Sequence, residues 1–297
     1  MDITIIGAPM DLGADRRGVD MGPSAIRYAD LYTKLVAQGH TVHDLGNIGV
    51  VGLELPAPGD AHLKYLDQIV ASALELAERT EAAVRGGSVP LVLGGDHSIA
   101  LGSIGGVTNA LPGIGVIWFD AHGDFNTGET TPSGNIHGMI LGALAGYGAP
   151  ALVNATGPGP KLVPAHIVIV GARDLDRGER DLLHRAGVRV LTMADIDRHG
   201  IYEVTREAIA LASDGTTGVH VSFDMDVVDP SEAPGVGTPV RGGVTYREAH
   251  LAMEMVGDSG KLASMDLIEV NPILDHANRT AQLAVELALS ATGKRIF

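Results

Sequence analysis

Short apolar runs rich in Val and Ile recur along the chain, and amphipathic segments separate them. Each run is bounded by Gly, Pro or polar residues, which is typical of a buried strand. The pattern predicts eight strands, at 3–7, 41–45, 89–93, 114–119, 166–170, 188–192, 219–223 and 262–270.

The segments between these runs repeat their apolar positions at helical spacing. The pair Gly22-Pro23 is typical of a helix start, and Gly39 and Gly86 are typical of helix ends. These signals predict helices at 24–38, 61–85, 99–110, 179–186, 201–213, 246–256 and 280–292.

Strand and helix alternate over the whole length, which predicts an α/β fold with a mainly parallel sheet covered by helices on both faces. Periodicity does not decide whether the eight strands close into a barrel or form an open sheet. The stretch 123–160 is rich in Gly, Pro and Thr, so we expect long functional loops there around one short helix.

Composition and net charge exclude some classes of function and make others less favourable. Hydrophobic residues make up 45% of the 297 residues and aromatic residues only 4%, so we expect a large core built from Ala, Val, Leu and Ile. The net charge of −15 weighs against a nucleic acid or an anionic membrane as partner. Because the chain has no Cys, disulfides, thiolate nucleophiles and thiolate zinc sites are excluded.

The first residues do not resemble a secretory signal, because Asp2 stands where such a signal carries positive charge and the apolar run that follows is short. No run approaches the roughly eighteen apolar residues of a membrane helix. We therefore expect a cytoplasmic protein with no membrane partner.

Four polar clusters begin where predicted strands end. Carboxyl ends of parallel strands meet at one edge of a sheet, where ligand crevices form, so distant clusters are expected to converge. If the backbone stays extended, Asp120, His122 and Asp124 point the same way, as do Asp224 and Asp226. The clusters are Gly94-Gly95-Asp96-His97, Asp120-Ala121-His122-Gly123-Asp124-Phe125-Asn126, Asp224-Met225-Asp226 and Glu269-Val270-Asn271-Pro272.

Together these clusters supply two His and four Asp side chains. Four carboxylates in one crevice would repel one another and raise their pKa values, and a pair of divalent cations removes that problem. Imidazole and carboxylate ligands without sulfur suit Mn²⁺, Fe²⁺, Co²⁺ or Zn²⁺. A single Asp-X-His is more often loop capping, but the combination predicts a binuclear site that activates water.

Other chemistries fit less well. The stretch 220–228 also matches the strand-Asp-X-Asp pattern of haloacid-dehalogenase-type phosphatases, but the downstream Lys261 and Lys294 lack the acidic motif of that chemistry. That interpretation also leaves His97 and His122 without a role. No phosphate-binding P-loop occurs, and Ser133 and Ser222 lack a nucleophile-elbow context.

The motifs Gly-Gly-Asp-His-Ser, Asp-Ala-His-X-Asp-X-Asn, Ser-Gly-Asn-X-His-Gly and Asp-X-Asp-X-X-Asp-Pro resemble those of the ureohydrolases, and within them the arginases. The resemblance covers essentially the whole chain. It implies one arginase-type catalytic domain over 1–297, a three-layer αβα fold with a mainly parallel eight-stranded sheet.

The resemblance also implies the cofactor and the reaction, which is hydrolysis of L-arginine to L-ornithine and urea by a hydroxide that bridges two Mn²⁺ ions. Position by position, His97 and Asp124 would bind one ion, His122 and Asp226 would bind the other, and Asp120 and Asp224 would bridge. The implied catalytic roles are proton donation to the leaving amine by Asp124, guanidinium binding by Glu269 and proton relay by His137. A loop-stabilising imidazole is the alternative for His137.

Substrate contacts follow from the same resemblance. Asn126, Thr131 and Ser133 match positions that contact the substrate α-carboxylate, and Asp176 and Glu179 match positions on the α-amino side. Thr238 is assigned to the same set as a supporting residue. Phe125 departs from the family pattern, and we expect it to reshape the mouth of the pocket.

Agmatinases, which act on the decarboxylated analogue, typically lack the Ser-Gly-Asn turn that stands here at 133–135. That turn favours arginase over agmatinase or another guanidino ureohydrolase. A metal-dependent deacetylase and a catalytically silent metal-binding regulator are the remaining alternatives. The family usually forms trimers or hexamers, so we expect a homo-oligomer.

Overall fold

The computed structural model describes residues 1–50 and 58–295. Its strands are Asp2–Ala8 (β1), Thr41–Asn47 (β2), Gly59–Asp60 (β3), Leu63–Lys64 (β4), Val89–Gly94 (β5), Gly115–Phe119 (β6), Ile167–Ala172 (β7), Arg189–Thr192 (β8), Val219–Asp224 (β9) and Leu262–Ile268 (β10). The short strands β3 and β4 form a hairpin of their own, and the other eight form one sheet in the order β2-β1-β5-β10-β9-β6-β7-β8. All neighbouring strands in this sheet are parallel, which confirms the predicted parallel sheet. Its eight strands correspond to the eight that the sequence predicts. Because β2 and β8 lie at opposite edges, the sheet is open and not a barrel.

Helices cover both faces of the sheet. Side chains alternate along β1, so that Ile3 and Ile5 belong to one buried apolar cluster and Ile6 to the other. The helices are Gly22–Tyr28 (α1), Leu31–Ala37 (α2), Leu66–Arg85 (α3), Ala100–Ala110 (α4), Ile140–Leu144 (α5), Pro150–Val153 (α6), Arg177–Ala186 (α7), Met193–Ser213 (α8), Tyr246–Ser259 (α9) and Arg279–Ala291 (α10). Helices α1, α2, α8, α9 and α10 pack on one cluster and α3 to α7 on the other, which confirms the three layers.

Two of the predicted helices have wrong boundaries, and a third is preceded by a helical part that was not predicted. The helix predicted over 24–38 is two helices, because Asp30 takes a left-handed backbone (φ 67°) between α1 and α2. The helix predicted from 61 begins only at Leu66, since the preceding residues form the β3–β4 hairpin and Tyr65 is left-handed (φ 56°). Gly200 has a non-helical backbone (φ 77°, ψ 153°) and divides α8 into two parts, so the helix predicted over 201–213 is confirmed, and the part over 193–199 was not predicted.

The loop-rich stretch 123–160 holds two short α-helices, α5 and α6, in place of the single one predicted. A 3₁₀ turn at Ile136–Met139 leads into α5. Pro150 starts α6, where its fixed φ and missing N–H are tolerated.

Strands β5, β10, β9 and β6 are consecutive in the centre of the sheet. The register pairs Leu93 of β5 with Leu267 of β10, and Phe223 of β9 with Phe119 of β6. Neighbouring strands lie about 4.8 Å apart, so the carboxyl ends of four adjacent strands fall within one crevice. This order explains why clusters far apart in sequence converge. Among the described helices, none is both long and apolar enough to cross a bilayer.

Candidate metal centre

The imidazole of His97 is held rigidly at the end of β5. Its ring stacks on Trp118 with centroids 3.9 Å apart, and its Nε2 atom hydrogen-bonds to Ser222 Oγ at 2.9 Å. The preceding Asp96 accepts hydrogen bonds from the backbone N–H groups of Ser98 (2.9 Å) and Gly13 (2.7 Å), which fixes the turn. These contacts determine the ring plane and direct Nδ1 toward the crevice.

Three carboxylate oxygens surround that Nδ1 atom. It lies 2.9 Å from Asp124 Oδ2, 3.1 Å from Asp120 Oδ2 and 3.3 Å from Asp224 Oδ2. Although Nδ1 is buried, it has no hydrogen-bond partner of suitable geometry among the described residues. A buried nitrogen and three oxygens that face a common point, without hydrogen bonds between them, fit the donor set of a divalent cation.

A second group of donors lies beside the first. Nδ1 of His122 is 3.0 Å from Asp226 Oδ2 and 3.3 Å from Asp120 Oδ1. Asp120 therefore presents one oxygen to each group, and the two groups that can hold a metal share this residue. The structure thus brings all six predicted ligands together, with Asp120 placed to bridge. Asp224 lies with the His97 group, and its bridging role stays a prediction.

The backbone at these residues is not extended, so the condition behind the predicted alternation of side chains is not met. Residues Met225–Val227 form a 3₁₀ turn, in which Asp224 Oδ1 accepts the N–H of Asp226 at 2.8 Å. In the same way Asp120 Oδ1 accepts the N–H of His122 at 2.6 Å, and Asp124 is left-handed (φ 49°). Short Asp side chains cap their own turns readily, and here the turns still direct the remaining oxygens inward.

The electrostatics of the crevice show an excess of negative charge. Burial and the nearby carboxylates raise the pKa of Asp224 well above its usual value, and burial with the charge of Asp120 raises the pKa of Asp124 to about 6. The pKa of Asp120 does not show the rise that is expected for carboxylates in this crevice. Despite burial, its pKa is lowered because His122 and His97 both contact its carboxylate. A cation would relieve the repulsion among the other carboxylates.

A cavity of about 140 Å³ opens beside the two donor groups. His122 and Asp124 form its inner wall, and His137 lines it as well. All six predicted substrate-binding residues line the same cavity, namely Asn126, Thr131, Ser133, Asp176, Glu179 and Thr238.

The turn at 133–135 is built by local hydrogen bonds. Thr131 Oγ1 accepts the N–H groups of Ser133 (3.3 Å) and Gly134 (3.0 Å). Gly134 is left-handed (φ 75°), and a Cβ there would lie 1.9 Å from the carbonyl oxygen of Ala61, so only glycine fits. This turn lines the outer part of the cavity.

Glu269 lies behind the cavity wall and is 1% exposed. Its Oε1 atom accepts the N–H of His97 at 3.0 Å and contacts Nδ1 of His137 at 3.2 Å. Although burial opposes protonation of His137, the Glu269 carboxylate outweighs it and raises the pKa of His137 to about 9. His137 therefore connects the cavity with the buried carboxylate.

Two further substrate-side contacts involve carboxylates. Thr238 Oγ1 donates to Asp226 Oδ2 at 3.0 Å, and Asn126 Nδ2 donates to Asp176 Oδ2 at 3.0 Å. Burial, together with the charge of Asp124, raises the pKa of Glu179 to about 8.

Sequence reasoning missed three residues that support the centre. Trp118 stacks on His97 and donates to Asp120 Oδ2 at 3.0 Å, and Ser222 holds His97 Nε2. Trp118 precedes Asp120 by two residues, and Ser222 precedes Asp224 by two, so each lies on the same strand face as a predicted ligand. This spacing could have identified both from the sequence. Arg173 donates to the carbonyl of Asp226 at 2.6 Å and to neighbouring carbonyls, and no sequence motif marks it.

The expected effect of Phe125 on the cavity mouth is wrong. Its side chain is fully buried and packs against Tyr147, with ring centroids 5.3 Å apart. The residue belongs to the core beneath helix α5, because its backbone turns the ring away from the cavity.

Comparisons with known proteins extend the similarity beyond the motifs. The family model described as the Arginase family matches residues 1–293. The arginase of Bacillus subtilis (strain 168) is 51% identical over 295 residues, which are 99% of both chains. The arginase of Brevibacillus brevis is 52% identical over 296 residues, covering 100% of this chain and 99% of the relative. The solved structure of the arginase from Bacillus caldovelox has a TM-score of 0.97 at 49% identity and covers 100% of this chain and 99% of that one.

Proposed function

The chain belongs to the arginase family and hydrolyses L-arginine to L-ornithine and urea, and we propose that it does so with two Mn²⁺ ions per chain. The observation that carries this proposal is the pair of donor groups that share Asp120 beside a polar cavity. Nδ1 of His97 supports it as well, since this buried nitrogen has no hydrogen-bond partner in the described part of the chain and needs one.

A divalent metal fits the donor set, and we assign the ligands accordingly. His97 and Asp124 would hold one ion and His122 and Asp226 the other, and Asp120 and Asp224 would be shared between them. When bound, such ions lower the pKa of a coordinated water and stabilise negative charge that develops on the substrate. Ser222 supports the set because it holds the second ring nitrogen of His97, and Thr238 supports it because it donates to Asp226 Oδ2, the oxygen that faces His122 Nδ1.

The protein's own residues orient the guanidinium and move protons. The carboxylate of Glu269 is buried next to the cavity, and its negative charge attracts the cationic guanidinium. Asp124 lines the cavity next to the donor groups, so its carboxyl group is placed to pass a proton to the leaving amine. His137 is partly exposed, with 18% of its side chain accessible, and contacts Glu269, so it relays protons between solvent and the cavity.

The outer cavity recognises the amino-acid part of the substrate. Asn126, Thr131 and Ser133 face the α-carboxylate, and Asp176 faces the α-ammonium. An amine without a carboxylate, such as agmatine, would leave the donors of the 133–135 turn unpaired. Selection for arginine therefore resides in this turn.

A urea-release assay tests the proposal. Protein stripped of metal and reloaded with Mn²⁺ is expected to release urea from arginine and little from agmatine, with two ions bound per chain. Faster turnover of agmatine would overturn the substrate assignment and leave the metal assignment standing. Absence of turnover on either compound with two ions bound would favour a silent metal-binding regulator.

The proposal extends to assembly and location. Large apolar side chains such as Tyr28 (86% exposed) and Ile273 (65% exposed) suit an interface that a homo-oligomer would cover. We assign a trimer or hexamer and a cytoplasmic location. Light scattering on the purified protein and fractionation of the source cells test these two points.

A further inference from the structure

The carboxyl group of Glu179 is fully engaged by the protein. Its Oε1 atom accepts the N–H of Phe125 at 2.8 Å, and its Oε2 atom accepts the N–H of Asp176 at 3.3 Å. The residue is 3% exposed. Glu179 thus links the start of helix α7 to the loop that follows β6, and both of its oxygens already have N–H donors.

That link fixes the peptide bond between Asp124 and Phe125. Glu179 holds the N–H side of this peptide, and on the other side the carbonyl oxygen of Asp124 accepts the N–H of Gly142 at 3.1 Å. With both polar atoms of the peptide held, its plane cannot rotate freely. Asp124 is left-handed (φ 49°), a conformation that costs a non-glycine residue energy and persists where neighbours hold it.

The backbone of Gly123 provides the surface on which this carboxyl group rests. A Cβ at position 123 would lie 2.8 Å from the carboxyl carbon and 2.9 Å from Oε1 of Glu179. Gly123 does not have a positive φ, so this close contact, and not backbone strain, is what favours glycine there. The carboxyl group, Gly123 and the Asp124–Phe125 peptide form one packed unit.

Asp176 is more accessible to an ammonium ligand than Glu179 is. Both line the cavity, but Asp176 is exposed while Glu179 is buried. The Asp176 side chain accepts hydrogen bonds from Asn126 Nδ2 and, in the capping box of α7, from the N–H of Glu179, but its carboxylate is exposed, so an incoming amine can reach it from the cavity. At Glu179 it would have to displace an N–H donor, which would leave that donor unpaired.

We propose that Glu179 is a positioning residue that holds Asp124 in place through the Asp124–Phe125 peptide, and that it does not bind the α-amino group of the substrate. The inference rests on the proposed function for its substrate, and it revises the α-amino assignment of Glu179. Recognition of the ammonium then depends on Asp176.

The test compares Glu179→Gln with wild type on two substrates, L-arginine and δ-guanidinovalerate, which is arginine without its α-amino group. Gln offers one acceptor for two N–H donors, so the peptide loses part of its support. We expect kcat/KM to fall by about 10–100-fold on both substrates alike, and Mn²⁺ binding measured by calorimetry to weaken about 10-fold. A loss confined to arginine, or unchanged Mn²⁺ affinity, would overturn the proposal.

Two matched variants complete the experiment. Gly123→Ala crowds the same carboxyl group and is expected to reproduce the Glu179→Gln pattern, so it decides the matter if Glu179→Gln does not fold. Asp176→Asn is expected to raise KM for arginine far more than for δ-guanidinovalerate. If wild-type protein releases urea from neither substrate, the proposed function fails, and the Mn²⁺ affinities of Gly123→Ala and Glu179→Gln still test the positioning role.

Discussion

Among the residues that the structure describes, two buried clusters pair histidine with aspartate, and one of these two has the donor set of a metal centre. The second lies inside the sheet, where His220 Nδ1 contacts Ser264 Oγ at 2.7 Å and Nε2 contacts Asp266 Oδ2 at 3.1 Å. Ser103 donates to the same Asp266 oxygen at 2.6 Å. His220 and Asp224 stand on the same face of β9, so one strand contributes to both clusters.

The two clusters differ in the number of carboxylates and in the pairing of the imidazole nitrogens, although Asp266 Oδ1 of the inner cluster also has no hydrogen-bond partner among the described residues. In the inner cluster a single carboxylate faces one imidazole, and both ring nitrogens have partners. At the metal centre four carboxylates face two imidazoles, and Nδ1 of His97 has no hydrogen-bond partner among the described residues. Buried histidine beside aspartate is therefore not enough to identify a metal site. An excess of carboxylate around an unpaired nitrogen identifies it.

The largest difference between the two clusters is expected when one carboxylate is removed from each. Asp120→Asn takes away the residue shared by both donor groups and is expected to reduce urea release to the background of the assay and to abolish tight Mn²⁺ binding. Asp266→Asn is the matched control, expected to keep Mn²⁺ binding. Calorimetry and the urea assay on both variants measure this, and loss of Mn²⁺ from Asp266→Asn with retention in Asp120→Asn would reverse the assignment.

A second pair of variants separates chemistry from packing within one loop. Asp124→Asn keeps the shape of the side chain but removes its acidic proton and its charge, so we expect kcat to fall about 10²–10⁴-fold. Phe125→Leu changes only the buried ring and is expected to lower the melting temperature while kcat stays close to wild type. Equal losses of kcat in the two variants would contradict the proton-donor role of Asp124.

The metal centre was predictable because its ligands follow strands whose order the α/β alternation implies. Asp120 and Asp224 each come directly after an apolar run, and parallel strands place their ends together. The alternation could not reveal the order β5-β10-β9-β6, which depends on long-range pairing. It also could not reveal the turns at Asp124 and Asp226, because side chains that cap their own backbone override the extended pattern.

The helix errors have a similar origin. Asp30 and Tyr65 take left-handed backbones that interrupt helical periodicity. Asp is enriched in this conformation and was a weak signal, whereas Tyr rarely adopts it and gave none. For α7 and α8 the capping boxes at Asp176 and Thr192 were readable signals that place the helix starts earlier than the apolar spacing does. The hydrogen bonds of Arg173 to backbone carbonyl groups correspond to no sequence motif, because any residue provides a carbonyl group, so only the structure reveals them.

A smaller effect is expected at the supporting residue of the second donor group. Thr238→Val removes the hydroxyl that donates to Asp226 Oδ2 and leaves the shape of the side chain. We expect Mn²⁺ affinity to fall about 10-fold, at the low end for residues that orient a metal ligand. Thr131→Val serves as the control, because its hydroxyl contacts backbone of the substrate turn, and it is expected to raise KM without changing Mn²⁺ affinity.

The smallest effect on activity is expected in the inner cluster. His220→Leu removes the partner of Ser264 Oγ and one of the two partners of Asp266 Oδ2, and it is expected to cost about 1–3 kcal/mol in the free energy of unfolding. Per folded molecule, kcat should stay at the wild-type value. Thermal unfolding followed by circular dichroism measures the first quantity, and a variant that is stable but inactive would show that the inner cluster serves the reaction.

The central claim is that two groups of donors, joined at Asp120, each hold one divalent ion. Titration of metal-free protein with Mn²⁺ in a calorimeter, with elemental analysis of the dialysed product, tests it directly. The account predicts two ions per chain for wild type and for Asp266→Asn. Saturation at a single ion, or binding that persists unchanged in Asp120→Asn, would contradict it.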